Sequence, residues 1–401
     1  GKNFEVNFIR QLDADAAKQL SEKDATLWIF ADIGSGQLDI LRDYFLDKKI
    51  IILDHHPVYG DEWNGLVHVN PFLEDIDGTK HISGAGVVYL VARGISSSAR
   101  SMVEFAVAGA CGDMQFVNGT MHGINSILLE EAEVSGRIKI ETGLLFFGRY
   151  TRPIHKAIAN STEPYITGIT GNRRAVLQLL SSLKIPLKDG ERWRTISDLS
   201  YDEEKKLATA LVIEEAFSGN NASNIIGKNF RLENGFELKE LASALNACGR
   251  LEEPLEGMKL CLGLPNSAEN LIREHKRSVA KALFWASENM QKFQRTKSAL
   301  YIVAGDNIPG NTIGTIVSIL SKRNSQLIVF GFANMKDAVK VSARADGSAA
   351  DLNCITREAA EKVGGTGGGH RSAAGSKIPK GSEEKYTEVC EKMFEEGLSF
   401  S

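Results

Sequence analysis

The chain has 401 residues, 43% hydrophobic and 24% charged, with a formal net charge of −4 and a sequence pI near 6.1. This length predicts two or three folded domains, and the balance excludes a globally basic protein, so any polyanion must be met by a local patch. The five cysteines, Cys111, Cys248, Cys261, Cys354 and Cys390, are scattered and form no C-x-x-C pair. That argues against a zinc ribbon or disulfide framework and fits a reducing, cytosolic setting. The first twenty residues carry charges throughout, with no apolar signal core, and no stretch approaches a membrane span.

In chain order, Phe4–Ile9 alternates and predicts a strand, and Asp13–Leu20 predicts a short helix with Asp13 as N-cap. An apolar strand runs to Ala31, a helix spans Leu38–Phe45, and Ile50–Leu53 is a second buried strand. This βαβα alternation predicts a parallel, doubly wound sheet. Gly84–Ala92 and Ser101–Ala110 continue as apolar helices or strands, and residues 125–262 read as mainly helical, with breaks at Tyr150–Pro153 and Pro186–Arg194. Ala268–Lys292 reads as a long charged connector helix. A second α/β unit follows, with strands at Ala299–Ala304, Leu327–Phe332 and Val339–Arg344 and helices at Thr312–Leu320, Thr356–Val363 and Glu383–Leu398. The expected fold class is α/β. A mostly parallel αβα domain with a helical extension covers residues 1–265, the connector helix 266–296, and a smaller α/β domain 297–401.

The chemistry concentrates where apolar segments stop. Ile50-Ile51-Ile52-Leu53 ends on Asp54-His55-His56-Pro57, Asp32 follows Leu27–Ala31, and Asp113 follows Val107–Gly112. The carboxyl ends of buried strands are where open α/β sheets place their ligands. Asp54-His55-His56 alone could be a polar turn. With Asp32 and Asp113 at similar strand ends, a metal hydrolase is the better reading, and the excess of carboxylate favours Mn²⁺ or Mg²⁺. Shared acids also suit a pair of ions bridged by one carboxylate. A second cluster, Gly364-Gly365-Thr366-Gly367-Gly368-Gly369-His370-Arg371, permits positive φ and could form an anion nest. Asn246-Ala247-Cys248-Gly249-Arg250 falls at a helix end, and Ser342-Ala343-Arg344 ends a strand, where Arg344 could equally be a solvated edge charge. Residues 336–380 hold eight Lys/Arg against five acids, a sign that suits a phosphate-bearing ligand.

In this order, the motifs resemble the DHH phosphoesterase superfamily and, within it, the archaeal RecJ-like single-strand nucleases. The matching segments are Ala31-Asp32-Ile33-Gly34-Ser35-Gly36, Leu53-Asp54-His55-His56-Pro57, Ser83-Gly84-Ala85-Gly86-Val87, Gly112-Asp113, Leu245–Arg250, Ser342-Ala343-Arg344 and Gly367-Gly368-Gly369-His370. The resemblance implies a DHH domain and a DHH-associated substrate-binding domain. It implies phosphodiester hydrolysis at one end of single-stranded DNA or RNA. Two Mn²⁺ or Mg²⁺ ions would be held by Asp32, Asp54, His55, His56 and Asp113, with Asp32 bridging. Asn246, Arg250, Ser342, Arg344, Gly367, Gly368, Gly369 and His370 would bind substrate. The family's first motif, Asp-x-Asp, is expected upstream of Gly1, because Asp13-Ala14-Asp15 sits on a helix without the Gly/Ser context. The same resemblance leaves open a phosphodiesterase for short oligonucleotides or cyclic dinucleotides, or a non-catalytic replisome scaffold that binds the GINS complex. GINS is a plausible partner even of an active enzyme.

Overall fold

The computed structural model describes residues 3–396, apart from 10, 118–119, 162–163, 165, 218–221, 223–224, 234, 324–326 and 346–349. The chain folds into two compact units. The first comprises residues 1–52, 56–72 and 244–401, and the second residues 53–55 and 73–243.

The first unit holds α1 (Ala14–Ser21), β1 (Trp28–Ala31), α2 (Leu38–Phe45), β2 (Ile50–Leu53, whose last residue is counted with the second unit) and β3 (Leu66–Val69). The strands form a parallel sheet in the order β1-β2-β3. Asp13 caps α1 as the sequence predicts, its side chain accepting from the Ala16 N–H at 2.9 Å. Leu12, Ala17, Leu20, Leu38, Leu41 and Phe45 bury against Phe30, Ile50 and Ile52. That core fixes where β1 and β2 end, and so where Asp32 and Asp54 begin. Phe4–Ile9 is a correction: the stretch forms no strand, and Phe4, Val6 and Phe8 are exposed. Alternation yields a strand only where a neighbour completes the ladder. Here Lys23 Nζ instead reaches Glu5 Oε1 and Asn7 Oδ1, each at 2.5 Å.

The same unit carries a six-stranded sheet in the order Gln294–Arg295, Ala299–Gly305, Ile328–Asn334, Val339–Ala345, Ala373–Ile378, Thr366–His370. Ala299–Gly305 and Ile328–Asn334 are parallel, and the other pairs are antiparallel. Ile328–Asn334 is buried on both faces, which is why it reads as a continuous apolar run. Phe330 and Phe332 pack under the helices Leu352–Lys362 and Glu383–Glu395, while Val329 and Ala333 pack under the helix Gly310–Arg323. The helix expected to connect the domains spans Ala268–Glu288, followed by a 3₁₀ turn over Met290–Lys292.

The glycine-rich segment is a second correction. Thr366–His370 is an edge strand rather than a nest-forming loop. Its glycines answer crowding: a Cβ on Gly367 would lie 2.3 Å from the Thr356 carbonyl oxygen, and one on Gly365 2.4 Å from that of Lys377.

The second unit contains α3 (Gly84–Ile95), α4 (Val103–Gly112) and α5 (Ile124–Val134). Ser83 caps α3 through the Gly86 N–H at 3.2 Å. Asp113 therefore follows a helix, not a strand. The run Ala106–Gly112 is apolar because α4 packs closely on α3, where a Cβ on Gly109 would sit 2.4 Å from that of Ala85. Residues 125–262 are mainly helical, but Ile138–Leu144 pairs antiparallel with Ile226–Leu232, a pairing of residues 82 to 94 positions apart that local periodicity does not report. The helices Ile154–Ala159, Arg173–Ser182 and Tyr201–Phe217 share a core with Leu144 and Phe146. No helix among the described residues is long and apolar enough to cross a membrane.

Glu237 stands just before the helix Leu238–Arg250, and its Oε2 accepts the Glu240 N–H at 3.2 Å. Burial, with Glu240 adding repulsion and Lys239 opposing, pushes its carboxyl up to about 7. The folded chain thus holds this proton more tightly than the unfolded chain, so stability falls as pH rises from 4.5 to about 7. Glu237→Gln should flatten that slope in urea melts and, at pH 8, gain up to about 3 kcal/mol over the parent. Gly109→Val should cost about 1–3 kcal/mol by overpacking the α3–α4 contact, read as a lower urea midpoint at unchanged m-value.

Candidate active site

Asp54, His55 and His56 follow the apolar β2. Asp54 and His55 are buried, and Asp54 Oδ1 accepts the His55 N–H at 2.7 Å. The His55 ring is oriented by two carbonyls, Gly78 at 2.8 Å and Ile82 at 3.1 Å from Nδ1. Carbonyls only accept, so Nδ1 carries a proton, and Nε2 faces Asp113 Oδ2 at 3.7 Å. A carbonyl behind the imidazole is the usual second-sphere support of a histidine metal ligand. Gln115 secures the arrangement by donating to the Gly78 carbonyl at 3.0 Å, while Asn125 donates to Gln115 Oε1 at 2.6 Å.

In the first unit, Asp32 and His56 offer ligand atoms within 4.8 Å of each other, as do His56 and His370. Asp32 has φ 62°, a left-handed conformation that aspartate tolerates better than most residues and that turns its carboxylate out of the β1 line. Carboxylate and imidazole oxygens and nitrogens are the donor set for Mn²⁺ or Mg²⁺. His370 stacks on His56 with ring centroids 4.7 Å apart and planes 12° from parallel.

A supporting web escaped the sequence reading. Asn70 donates to the His56 carbonyl at 2.9 Å and to Ser35 Oγ at 2.7 Å. Ser35 Oγ lies 2.8 Å from His68 Nε2, and His68 Nδ1 lies 2.7 Å from Glu62 Oε1. The Tyr59 hydroxyl accepts from the Asn353 amide, whose Oδ1 in turn accepts the Gly369 N–H at 3.0 Å. The Arg357 guanidinium lies 3.8 Å over the Tyr59 ring. Through Tyr59 and Asn353 the loop after His56 is tied to the glycine-rich strand. The Asn-Pro turn at Asn70-Pro71 was the available sequence signal for part of this web; for Asn353 there was none.

The arginines form a third feature. Ser342 and Arg344 share one face of Val339–Ala345 against the helix Gly310–Arg323. A Cβ on Gly314 would meet Ser342 Oγ at 3.3 Å, a tight approach that would press on the Ser342 side chain. Arg344 Nε donates to Ser318 Oγ at 3.1 Å, and Arg250 donates to the Thr315 hydroxyl. Arg344 is paired on both sides within the sheet and is not an edge charge. Burial and the nearby Arg250 charge push its guanidinium down to about 10, and burial lowers that of Arg250 too. Two desolvated cations that repel each other are stabilised by an anion placed between them. Asn246 lies four residues before Arg250 on the same helix and shares its face. Gly367, Gly368 and Gly369 contribute backbone only.

Residues 146–227 match the DHH-CID domain and residues 296–396 the DHHA1 domain. An uncharacterized protein of Methanocaldococcus jannaschii is 28% identical over 415 residues, spanning 99% of this chain and 88% of that protein. Among solved structures, CDC45 from Entamoeba histolytica superposes with a TM-score of 0.63 at 11% identity, over 95% of this chain and 88% of that one. RecJ from Thermus thermophilus, in complex with Mn²⁺, gives a TM-score of 0.55 at 16% identity over 95% of this chain; the match spans less than half of that chain, 46%. An exonuclease RecJ bound to manganese gives 0.50 at 16% identity, over 95% of this chain and 78% of that one. Identities this low speak for the fold, and the two matched domains agree with it. The chain thus carries segments similar to the DHH-CID and DHHA1 domains, and its fold is similar to that of RecJ and CDC45.

Proposed function

We propose that the chain is a metal-dependent exonuclease that hydrolyses phosphodiester bonds at one end of single-stranded DNA or RNA. The observation that carries this reading is the desolvated Arg250–Arg344 pair, an arrangement that favours a bound phosphate. Asp32, Asp54, His55, His56 and Asp113 would hold Mn²⁺ or Mg²⁺, and the orientation of His55 towards Asp113 fits that role. Such ions, when bound, lower the pKa of water and stabilise charge on the phosphoryl group. Arg250 and Arg344 would neutralise the scissile phosphate, with Asn246, Ser342 and His370 fixing its orientation and Gly367–Gly369 allowing the backbone to approach. In this reading residues 1–265 form the DHH domain, 266–296 the connector and 297–401 the DHH-associated domain. A second reading, a replisome scaffold that engages GINS, gains from the likeness to CDC45 over 88% of that chain's length.

End-labelled 20-mers with Mn²⁺ should be shortened stepwise, and EDTA should abolish the reaction. Asp113→Asn should lower the rate about 10²-fold or more, since metal-site partners are worth that much. Turnover of dinucleotides alone would reject the exonuclease, and no turnover of any phosphodiester would leave the scaffold. Arg344→Met should separate function from stability. Cleavage should fall about 10²–10³-fold, while the thermal midpoint stays level or rises, because a desolvated charge next to another is removed.

A further inference from the structure

We propose that the outer face of the helix Ala268–Glu288 is a track for the backbone of single-stranded nucleic acid. Arg273, Arg277 and Lys281 recur at every fourth residue and so form one row along the helix. All three are exposed, and among the described residues none of them forms an ion pair; Arg273 holds only the Asn270 side-chain oxygen, at 2.5 Å. The row lines a groove of about 730 Å³ together with Glu274, Asp306, Asn307 and Pro309, so three cations face two carboxylates there. Like charges four residues apart on a helix cost about 0.2–0.5 kcal/mol per pair. Glu269 and Glu274, at neighbouring helix positions, offset part of that repulsion, and a bound polyanion would offset the rest.

Four residues of α-helix rise about 6 Å, a separation that lets each cation meet its own backbone phosphate. The opposite face of the helix is anchored, with Ala282 and Ala286 buried among Leu300, Ile313 and Val317, so the row is presented on a rigid element. His275 on this helix feels the Arg250 charge, which places the helix beside the proposed phosphate clamp. The track extends the nuclease reading to the strand behind the scissile end, and it rests on that reading for its purpose but not for its test.

The test uses the full chain, EDTA to prevent cleavage, and a fluorescein-labelled dT20 strand, with anisotropy followed against salt. Replacing Arg273, Arg277 and Lys281 together by Gln should reduce the slope of log K against log[salt] by about 2, since each single-strand phosphate contact contributes about 0.7. Lys139, Lys205 and Lys206, changed to Gln together, should leave the slope as it was. The charge-keeping Arg273→Lys/Arg277→Lys variant should also retain it, which separates lost charge from lost fold. An unchanged slope in the triple variant, no binding of dT20 by the parent, or an equal loss with a 20-bp duplex each overturns the proposal. If no phosphodiester is cleaved when Mn²⁺ is restored, the nuclease reading fails while the slope still decides the track.

Discussion

The candidate site depends on which nitrogen of one imidazole carries the proton. Gly78 and Ile82 present carbonyl oxygens to His55 Nδ1, so the ring cannot turn or change tautomer without losing buried hydrogen bonds. Everything behind it serves that placement. β2 is long enough to bury Ile50 and Ile52 and then stop. Ser83 starts α3 just after Ile82, and α4 lies close enough on α3 to bring Asp113 to the opposing nitrogen. Helix packing and a capped turn thereby bring this imidazole and carboxylate together.

The glycines divide between two physical tasks. Gly109 and Gly314 let helices approach another element, and each sets the position of a candidate functional side chain, Asp113 in one case and Arg344 in the other. Gly368 and Gly369, with φ of 157° and 141°, lie in or near the region that disfavours side chains, and Gly369 also offers its N–H to Asn353. The same residue type thus appears as a spacer in the helices and as closely approached backbone in the edge strand.

Much of this was legible in the sequence because it is encoded locally. The Asp13 and Ser83 caps, the helix over Leu38–Phe45 and the apolar run before Asp54 follow from spacing and side-chain chemistry over a few residues. The misses share a non-local origin. Phe4–Ile9 has strand periodicity but no ladder, Ala106–Gly112 has the composition of a buried strand but the packing of a helix, and the glycine run looks like a loop until a hairpin partner is found at Ala373–Ile378. Composition named the residue types of the site; the direction of each imidazole and the Tyr59–Asn353 link came only from tertiary contacts.

The crowding along the edge strand also bears on how this sequence can change over time. At Gly365, Gly367, Gly369 and Gly375 an added Cβ would meet backbone atoms at 2.4, 2.3, 2.7 and 2.9 Å. Backbone cannot swing aside as a side-chain tip can. Substitutions that are harmless on most half-buried strands are therefore closed here, even to alanine. Drift in this hairpin must pass through positions such as Thr366 and Lys377, whose side chains reach Gln11 and Asp13. A tolerance map of the domain should show a narrow forbidden band where partial burial alone would forecast some freedom.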